Sequence, residues 1–528
     1  MTRRSHVLWL LALLAGGIVL HAPLRDAMNL IAQGDHGLSF YCFKKTLDGQ
    51  LPYRDYFWNY GPLMPFYYAA CFKFLGVSMP SVLAGQLLLK LLSGVAVFSA
   101  VTVFFPPTAG FLAAVWFWLL NPDFFYRFDQ AGAILALLTA AWILLRHFRG
   151  PRDRLVFALP AVLLAACLIK LNIGLAALAA VVLSLAIDDL RAGRRFRESA
   201  NVYQALVIGV PALTTLAYAW LLTGLPDYRF RQCLPFTRSY DPSAAAFPET
   251  LRMLLVWVLT AASADFGSRV AAFLFLWCLC GFFSGSRPGK PAQVSSLIAL
   301  ALLTAFSLHE FLLSGVEYRI LWATPSFILM MFFPLGAECQ HPGRFARLKR
   351  LLLYGVVLFL LIPGFQNRAR LQTAKDPANF FAHPRARIHL LQQTPDWKET
   401  VGAATAFLEA NLRPGETFLA LPYEPIYYFL TGRDSPTWEI LFFKFMNMPE
   451  SEEDEILSRL EKGKIRLILM SNRVQSVEPG LGYFGVTHCG KLSRYIDSHY
   501  TPVASFGNWD APAGWAWNHA VKILARKG

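Results

Sequence analysis

Long apolar runs recur along most of the chain, broken by short polar turns. A helix crossing ~30 Å of hydrocarbon needs about 20 mostly apolar residues. Runs of this kind fall at 7–24, 82–104, 106–121, 130–147, 155–170, 172–187, 201–223, 268–284, 292–312, 318–337 and 347–365, which predicts about eleven spans. The stretch 61–76 is interrupted by Pro62, Pro65 and Lys73, and 251–263 is only weakly amphipathic; both are expected to lie on the membrane surface. The first run follows Arg3 and Arg4 and lacks a small-residue cleavage site, so it reads as a retained helix rather than a signal peptide.

The pattern changes after residue 365. Residues 396–411 have helical periodicity, Glu416–Leu421 reads as a buried strand, and Pro422–Leu430 as a turn with a short helix. An acidic helix follows at 450–463 and a second strand at Ile465–Met470. Strand–helix–strand alternation predicts a small α/β domain over 366–528. It follows a transmembrane domain, 1–365, whose long loops are 25–81 and 224–267. No internal repeat is visible, which disfavours transporter folds built from paired halves.

Charge orients this arrangement. The chain carries 49 Lys and Arg against 34 Asp and Glu, a formal net charge of +15. With the N-terminus inside, the loops near 146–154, 188–200, 285–291 and 338–350 hold the excess of basic residues, as cytoplasmic loops do. The acids Asp26, Asp35, Asp48, Asp55, Asp123, Asp129, Asp227, Asp241, Glu249, Asp265, Glu310 and Glu317 fall in the opposite loops. Counting either surface stretch as a span would invert the pattern for every later loop. The positive charge is therefore a topology signal and not a nucleic-acid footprint. Composition agrees: 55% hydrophobic and 16% charged residues exclude an ordinary soluble enzyme. Eight cysteines without CxxC spacing give neither a disulfide framework nor a metal knuckle.

Candidate chemistry concentrates in the first outer loop, Gln33-Gly-Asp-His-Gly-Leu-Ser-Phe-Tyr41 and Leu47-Asp-Gly-Gln-Leu-Pro-Tyr-Arg-Asp-Tyr-Phe-Trp-Asn-Tyr-Gly-Pro-Leu63. Asp35 sits between glycines, which let backbone approach a ligand. A carboxylate at the membrane–water boundary can take a proton from an acceptor hydroxyl; alternatively, Asp35 caps the helix that follows. Lys90, inside its span, is a second candidate, because intramembrane charge usually faces a cavity. Lys170 stands at a span end, where it either binds a ligand or snorkels to the interface. Arg319 lies two residues from Glu317, a ready salt-bridge partner.

This loop resembles that of polyprenyl-phosphate-sugar glycosyltransferases of the GT-C superfamily, the group of protein O-mannosyltransferases and aminoarabinose transferases. Matching residues are Asp35, then Gly49, Pro52, Tyr53, Arg54 and Asp55, then Tyr60, Gly61 and Pro62. The likeness continues through Asn121-Pro122-Asp123 to Asp129, to Lys170, and to the tail segment Pro422-Tyr-Glu-Pro-Ile-Tyr-Tyr-Phe-Leu-Thr-Gly-Arg433. Where the family often has Asp-Glu, this chain has Asp35-His36. The resemblance implies a multi-pass inner-membrane enzyme with a cytoplasmic N-terminus and an extracytoplasmic tail. It implies a polyprenyl-phosphate-linked sugar donor and a lipid, glycan or protein acceptor. Asp35 would deprotonate the acceptor hydroxyl with inversion at the anomeric carbon. Arg54, Arg127, Lys170 and Arg319 are candidates for meeting the leaving phosphate, with His36, Asp55, Lys90 and Asp129 as further substrate-binding candidates. A divalent metal is an open question, for which Asp35, His36 and Asp129 are the candidate ligands. The alternative reading is a non-enzymatic transporter or lipid flippase with an outer accessory domain.

Overall fold

The structure, a computed structural model, describes residues 3–120, 128, 130–150, 153–194, 200–233, 291–314, 326, 328–330, 346–393, 395–475, 481–517 and 519–528. The expected span 268–284, most of 318–337 and the surface stretch 251–263 lie outside them, as do Asp123, Arg127, Asp129, Glu317 and Arg319.

Among the described residues, five helices are long and apolar enough to cross a membrane: His6–Leu24, Met79–Thr102, Ala131–Arg149, Leu171–Arg191 and Ala200–Leu222. The chain is a polytopic helical membrane protein. Other expected spans are shorter as helices. The stretch 155–170 opens with a 3-10 turn, Arg154–Ala158, because the Asp153 side chain accepts from Leu155 N at 3.0 Å; a helix runs on from Leu159 to Ile169. The stretch 292–312 divides into helices Pro291–Ser307 and His309–Ser314, where the Leu308 N–H bonds back to Ala305 O. The stretch 347–365 lies within the helix Ala346–Thr373. The Leu63–Leu75 helix, read as a surface segment, has 13 residues, or about 20 Å at 1.5 Å per residue, too short to span.

The chain forms two compact units. The first comprises described residues within 1–23, 86–217 and 291–372. Small residues let its helices approach. A Cβ on Gly174 would lie 2.4 Å from the backbone nitrogen of Cys167, and one on Gly94 would lie 2.3 Å from the Trp118 indole. The indole Nε1 donates to the Lys90 carbonyl at 2.9 Å. Each described carboxylate of this unit is in an ion pair: Asp153 with Arg146, Asp188 and Asp189 with Arg194, and Glu310 with Lys170.

The second unit gathers residues 24–85, 218–233 and the tail from 373. Strand β1 (Ala27–Met28), from the first loop, pairs in parallel with β3 (Ala386–Leu390), which pairs antiparallel with β2 (Phe380–His383). The expected strands at 416–421 and 465–470 are β4 (Phe418–Leu421) and β5 (Leu467–Ser471), parallel neighbours. The sheet is completed in the order β4-β5-β7-β6 by β6 (Tyr500–Phe506) and β7 (Val521–Arg526). Leu419, Leu421, Ile456, Leu460, Ile468, Leu492, Ile496 and Leu524 form a core between this sheet and its helices. The helix Glu450–Lys462 carries Glu450, Glu452 and Glu453 in its first turn and Arg459 and Lys462 in its last, the arrangement its dipole favours.

The helix Asp227–Cys233 is fixed to the tail by charge. Arg229 lies 5.2 Å over the Trp438 ring and meets Glu439 at 3.3 Å, Glu452 at 2.8 Å and Glu455 at 3.3 Å. Burial, and then the neighbouring Glu452, pushes the Glu439 carboxyl up to about 8, against the opposing pull of Arg229. The folded chain therefore holds a proton there that an unfolded carboxyl, near 4.5, releases. Stability from this site is full at acid pH and falls as pH rises between about 4.5 and about 8, by at most ~1.4 kcal/mol per pH unit. Glu439→Gln, which mimics the protonated form, is expected to match wild type at pH 5 and to melt above it at pH 8. Thermal melts of detergent-purified protein across that range measure the difference; parallel melting curves would remove the buried-acid assignment.

Candidate functional site

Asp35 opens the helix Asp35–Leu47 within the second unit. It is not the cap: Gly34 holds that position, with no side-chain capping hydrogen bond. The carboxylate instead accepts from two tail residues. Tyr423 Oη donates to Oδ1 at 3.2 Å and Trp515 Nε1 donates to Oδ2 at 2.9 Å. Burial raises the Tyr423 hydroxyl well above the usual phenol range and Asp35 raises it further, so it stays a neutral donor. Asp35 itself is only partly buried. It is thus a carboxylate with both oxygens oriented and with access retained, the requirement for a positioned proton acceptor.

Its neighbour His36 is buried, and its Nδ1 accepts from Ala32 N at 2.9 Å. The ring proton is therefore on Nε2, and the ring meets Trp515 edge-on at 5.6 Å. Among the described residues no group of three or more His, Cys, Asp or Glu side chains converges to hold a metal ion.

The close fit of loop and tail explains the glycines around Asp35. A Cβ on Gly34 would lie 2.3 Å from the Tyr423 ring, and one on Gly37 would lie 2.4 Å from the Ile426 nitrogen. The second contact is with backbone at the start of the helix Ile426–Thr431, which cannot rotate away. Gly37→Ala is expected to cost about 1–3 kcal/mol of stability, read as a lower melting temperature. Gly16→Ala, with open space around it, serves as a neutral control. An unchanged melt for Gly37→Ala would contradict this packing.

A buried pair stands behind the donors. Glu424 and His519 are both inaccessible to solvent, with His519 Nδ1 3.4 Å from Glu424 Oε1. His519 Nε2 donates to the Gly514 carbonyl at 2.7 Å, which leaves Nδ1 as the ring nitrogen facing the carboxyl. Each member adjoins an Asp35 contact: Glu424 follows Tyr423, and Gly514 precedes Trp515. Arg473 lies 5.2 Å over Phe443, whose ring is 6.0 Å from Tyr423. By sequence, Tyr423 and Glu424 stand only within the tail segment of the resemblance, and Arg473, Trp515 and His519 are not among the candidates. Arg473 stands just after β5, a strand-end position that could have drawn attention; nothing local marks Trp515.

Arg54 and Asp55 are exposed on a tight turn. Asp55 Oδ2 accepts from Leu51 N at 2.8 Å, closing the turn on itself. Gly49 (φ 86°) and Tyr53 (φ 69°) take left-handed backbone there, and Tyr53 is held by Trp438 Nε1 donating to its carbonyl at 2.8 Å. A bulky residue in that region is strained and persists because its surroundings fix it.

Two candidates belong to the first unit. Lys90 lies in the Met79–Thr102 helix, half-buried. Lys170 joins the helices Leu159–Ile169 and Leu171–Arg191 in extended backbone. It does not reach out to water: Nζ pairs with Glu310 Oε1 at 2.6 Å and donates to Gln130 Oε1 at 3.0 Å, while Asn172 donates to the same Glu310 oxygen at 2.6 Å. Asp129 and Arg319 lie outside the described residues.

No family model matches the chain, and no curated protein matches it. Solved structures do. ArnT from Cupriavidus metallidurans bound to undecaprenyl phosphate aligns over 98% of both chains, with a TM-score of 0.56 and 12% identity. The Archaeoglobus fulgidus oligosaccharyltransferase in its apo form aligns over 96% of this chain and 75% of that one, with a TM-score of 0.53 and 13% identity. The arabinofuranosyltransferase AftD from Mycobacteria covers all of this chain and 40% of its own, with a TM-score of 0.50 and 16% identity. At these identities the likeness is one of fold.

Proposed function

We propose, from a fold shared with such membrane transferases, that this chain is an integral membrane glycosyltransferase. It moves a sugar from a polyprenyl-phosphate donor to an acceptor hydroxyl at the outer membrane face. The observation that carries the reading is Asp35, a partly accessible carboxylate fixed by Tyr423 and Trp515. The full-length likeness to a structure bound to undecaprenyl phosphate supports the donor class.

In the proposed reaction the acceptor oxygen attacks the anomeric carbon as its proton passes to an Asp35 oxygen. The bond from that carbon to the phosphate oxygen breaks, the configuration inverts, and polyprenyl phosphate leaves with the bonding electrons. The leaving group is already an anion, so it needs positive charge more than a proton. The proposed arrangement has about eleven spans, a transmembrane domain over 1–365, an inside N-terminus and an outside tail over 366–528. A transporter or flippase would not require an oriented carboxylate held by two donors.

The test is mass spectrometry of envelope lipids and glycans from cells with and without the gene, followed by transfer assays using purified protein and the lipid-linked sugar identified. Loss of one glycosylated species, restored by wild type, is the expected result. Unchanged envelope chemistry and no transfer by purified protein would end the reading.

A further inference from the structure

Trp515, which donates to Asp35, stands in a long connection. Strands β6 and β7 pair as far as Phe506 and Val521, and residues 507–520 between them belong to neither strand. A connection of that length has many conformations open to it unless side chains fix it. Three side chains fix this one. Asn472, just after β5, donates from Nδ2 to the Ala511 carbonyl at 2.9 Å, and its Oδ1 accepts from Ala520 N at 3.2 Å. His519 Nε2 holds the Gly514 carbonyl at 2.7 Å, with Glu424 facing its other ring nitrogen at 3.4 Å. Gln393 Nε2 donates to the Ala516 carbonyl at 2.5 Å. The carbonyls on either side of Trp515 are thus both held, and Gly514 N closes the turn on the Trp517 carbonyl at 3.1 Å.

Gln393 also reaches the other side of the contact. The pairing of β1 with β3 runs on beyond the strands, with Leu391 N donating to Met28 O at 2.9 Å and Gln392 N to Asn29 O at 2.8 Å. That register delivers Gln393 beside Ile31, whose N–H donates to Gln393 Oε1 at 2.8 Å. A backbone N–H needs an oxygen and a carbonyl needs an N–H, so the two partners define the orientation of the amide. Asp35 follows Ile31 in the same segment, and between them Ala32 N is held by His36 Nδ1 at 2.9 Å. One side chain therefore bonds, through its two ends, the segment that carries Asp35 and the turn that carries Trp515.

We propose that Gln393 is a positioning residue for the transfer reaction, clamping the Trp515 turn to the Asp35 segment so that the indole N–H stays on Oδ2. His519, backed by the buried Glu424, is the second fastening, and Glu424 adjoins Tyr423, the donor to Oδ1. The inference rests on the reading of Asp35 as the base. Gln393 acts on rate through orientation alone: a carboxylate swung off line meets the attacking hydroxyl badly, and a misplacement near 1 Å costs roughly a hundredfold. No sequence motif contains Gln393, because its role lies in contacts across 362 and 123 residues.

The test measures transfer by full-length protein in nanodiscs, with the lipid-linked sugar and acceptor that envelope mass spectrometry identifies. Gln393→Met, which keeps the length and loses both hydrogen bonds, is expected to lower kcat roughly ten- to a hundredfold. The KM for the lipid donor should stay within about twofold of wild type. Trp515→Phe, which keeps a ring and loses the N–H, should lose at least as much. The double variant should fall no further than Trp515→Phe alone, because the clamp then has no donor to hold. Losses that multiply, or a KM that rises while kcat holds, would make Gln393 a general support of the fold and overturn the proposal. Gln393→Glu, which sets an oxygen against the Ala516 carbonyl, carries the same cycle should Gln393→Met fail to fold. For the second fastening, His519→Gln can place an amide nitrogen where Nε2 stands and should keep most of the rate. His519→Asn is too short to reach Gly514 and should lose it; equal rates in the two would remove His519 from the device. Wild-type kcat in both Gln393 variants, or in Trp515→Phe, overturns this inference and leaves the reading of Asp35 standing. A wild type that transfers no sugar overturns both.

Discussion

Asp35→Asn is expected to fold, to melt as wild type does, and to lose about 10²–10⁴-fold in transfer rate. The amide keeps the size of the carboxylate and still accepts from Trp515 Nε1, which donates to Oδ2 at 2.9 Å. The Tyr423 hydroxyl, 3.2 Å from Oδ1, can turn to accept from the amide. The local frame therefore survives while the capacity to take a proton at neutral pH does not. Lipid-donor binding should change little, because the prenyl chain and phosphate contacts are elsewhere in the chemistry. Because Gly34, and not Asp35, occupies the cap position, a loss of activity cannot be traced to a lost cap. Transfer near the wild-type rate in a normally melting variant would end the role of Asp35 as base.

The second large effect concerns Lys170. Its side chain and that of Glu310 are 11% and 6% exposed and 2.6 Å apart. Lys170→Met removes this cation from a buried carboxylate, which should cost about 3–5 kcal/mol. The double variant Lys170→Met with Glu310→Leu removes both charges, and its stability should return to within ~1.5 kcal/mol of wild type. Melting of the two variants in detergent measures the contrast. Activity then separates structure from chemistry: a double variant that melts normally but transfers no sugar would add a direct substrate role for the pair. A single variant as stable as wild type would show that the ion pair is not the support described.

Those outcomes bear on how much of the molecule was legible in its sequence. The five long spans stand out because hydrocarbon thickness imposes one length on every crossing helix. β4 and β5 are equally clear, since a strand buried on both faces reads as a continuous apolar run. By contrast, β6 has an almost wholly exposed face and contains Pro502, and β1 has two residues, so neither leaves a periodic trace. The site divides in the same way. Asp35 was marked by its glycines and by the resemblance. Trp515 was invisible, because its role depends on a contact across 480 residues and on no local pattern. Sequence leaves two readings each for Asp35 and Lys170, which only three-dimensional partners separate. Neither a cap nor an interfacial, snorkelling lysine matches the partners found.

The remote origin of those partners also has a temporal side. A membrane chain is made and inserted from its N-terminus, so Asp35 emerges long before Tyr423 and Trp515, which follow it by 388 and 480 residues. Closing a loop of that length costs on the order of 5 kcal/mol in an unrestrained chain. The contact is therefore among the last to form, and intervening helices already seated in the bilayer would lower its cost by limiting the search. During synthesis the carboxylate is present but unoriented. A nascent chain released before residue 515 lacks the Trp515 donor that orients one oxygen of Asp35, however well its helices have inserted. On the proposed role of Asp35, completion of translation would license the reaction, through the order of residues along the chain.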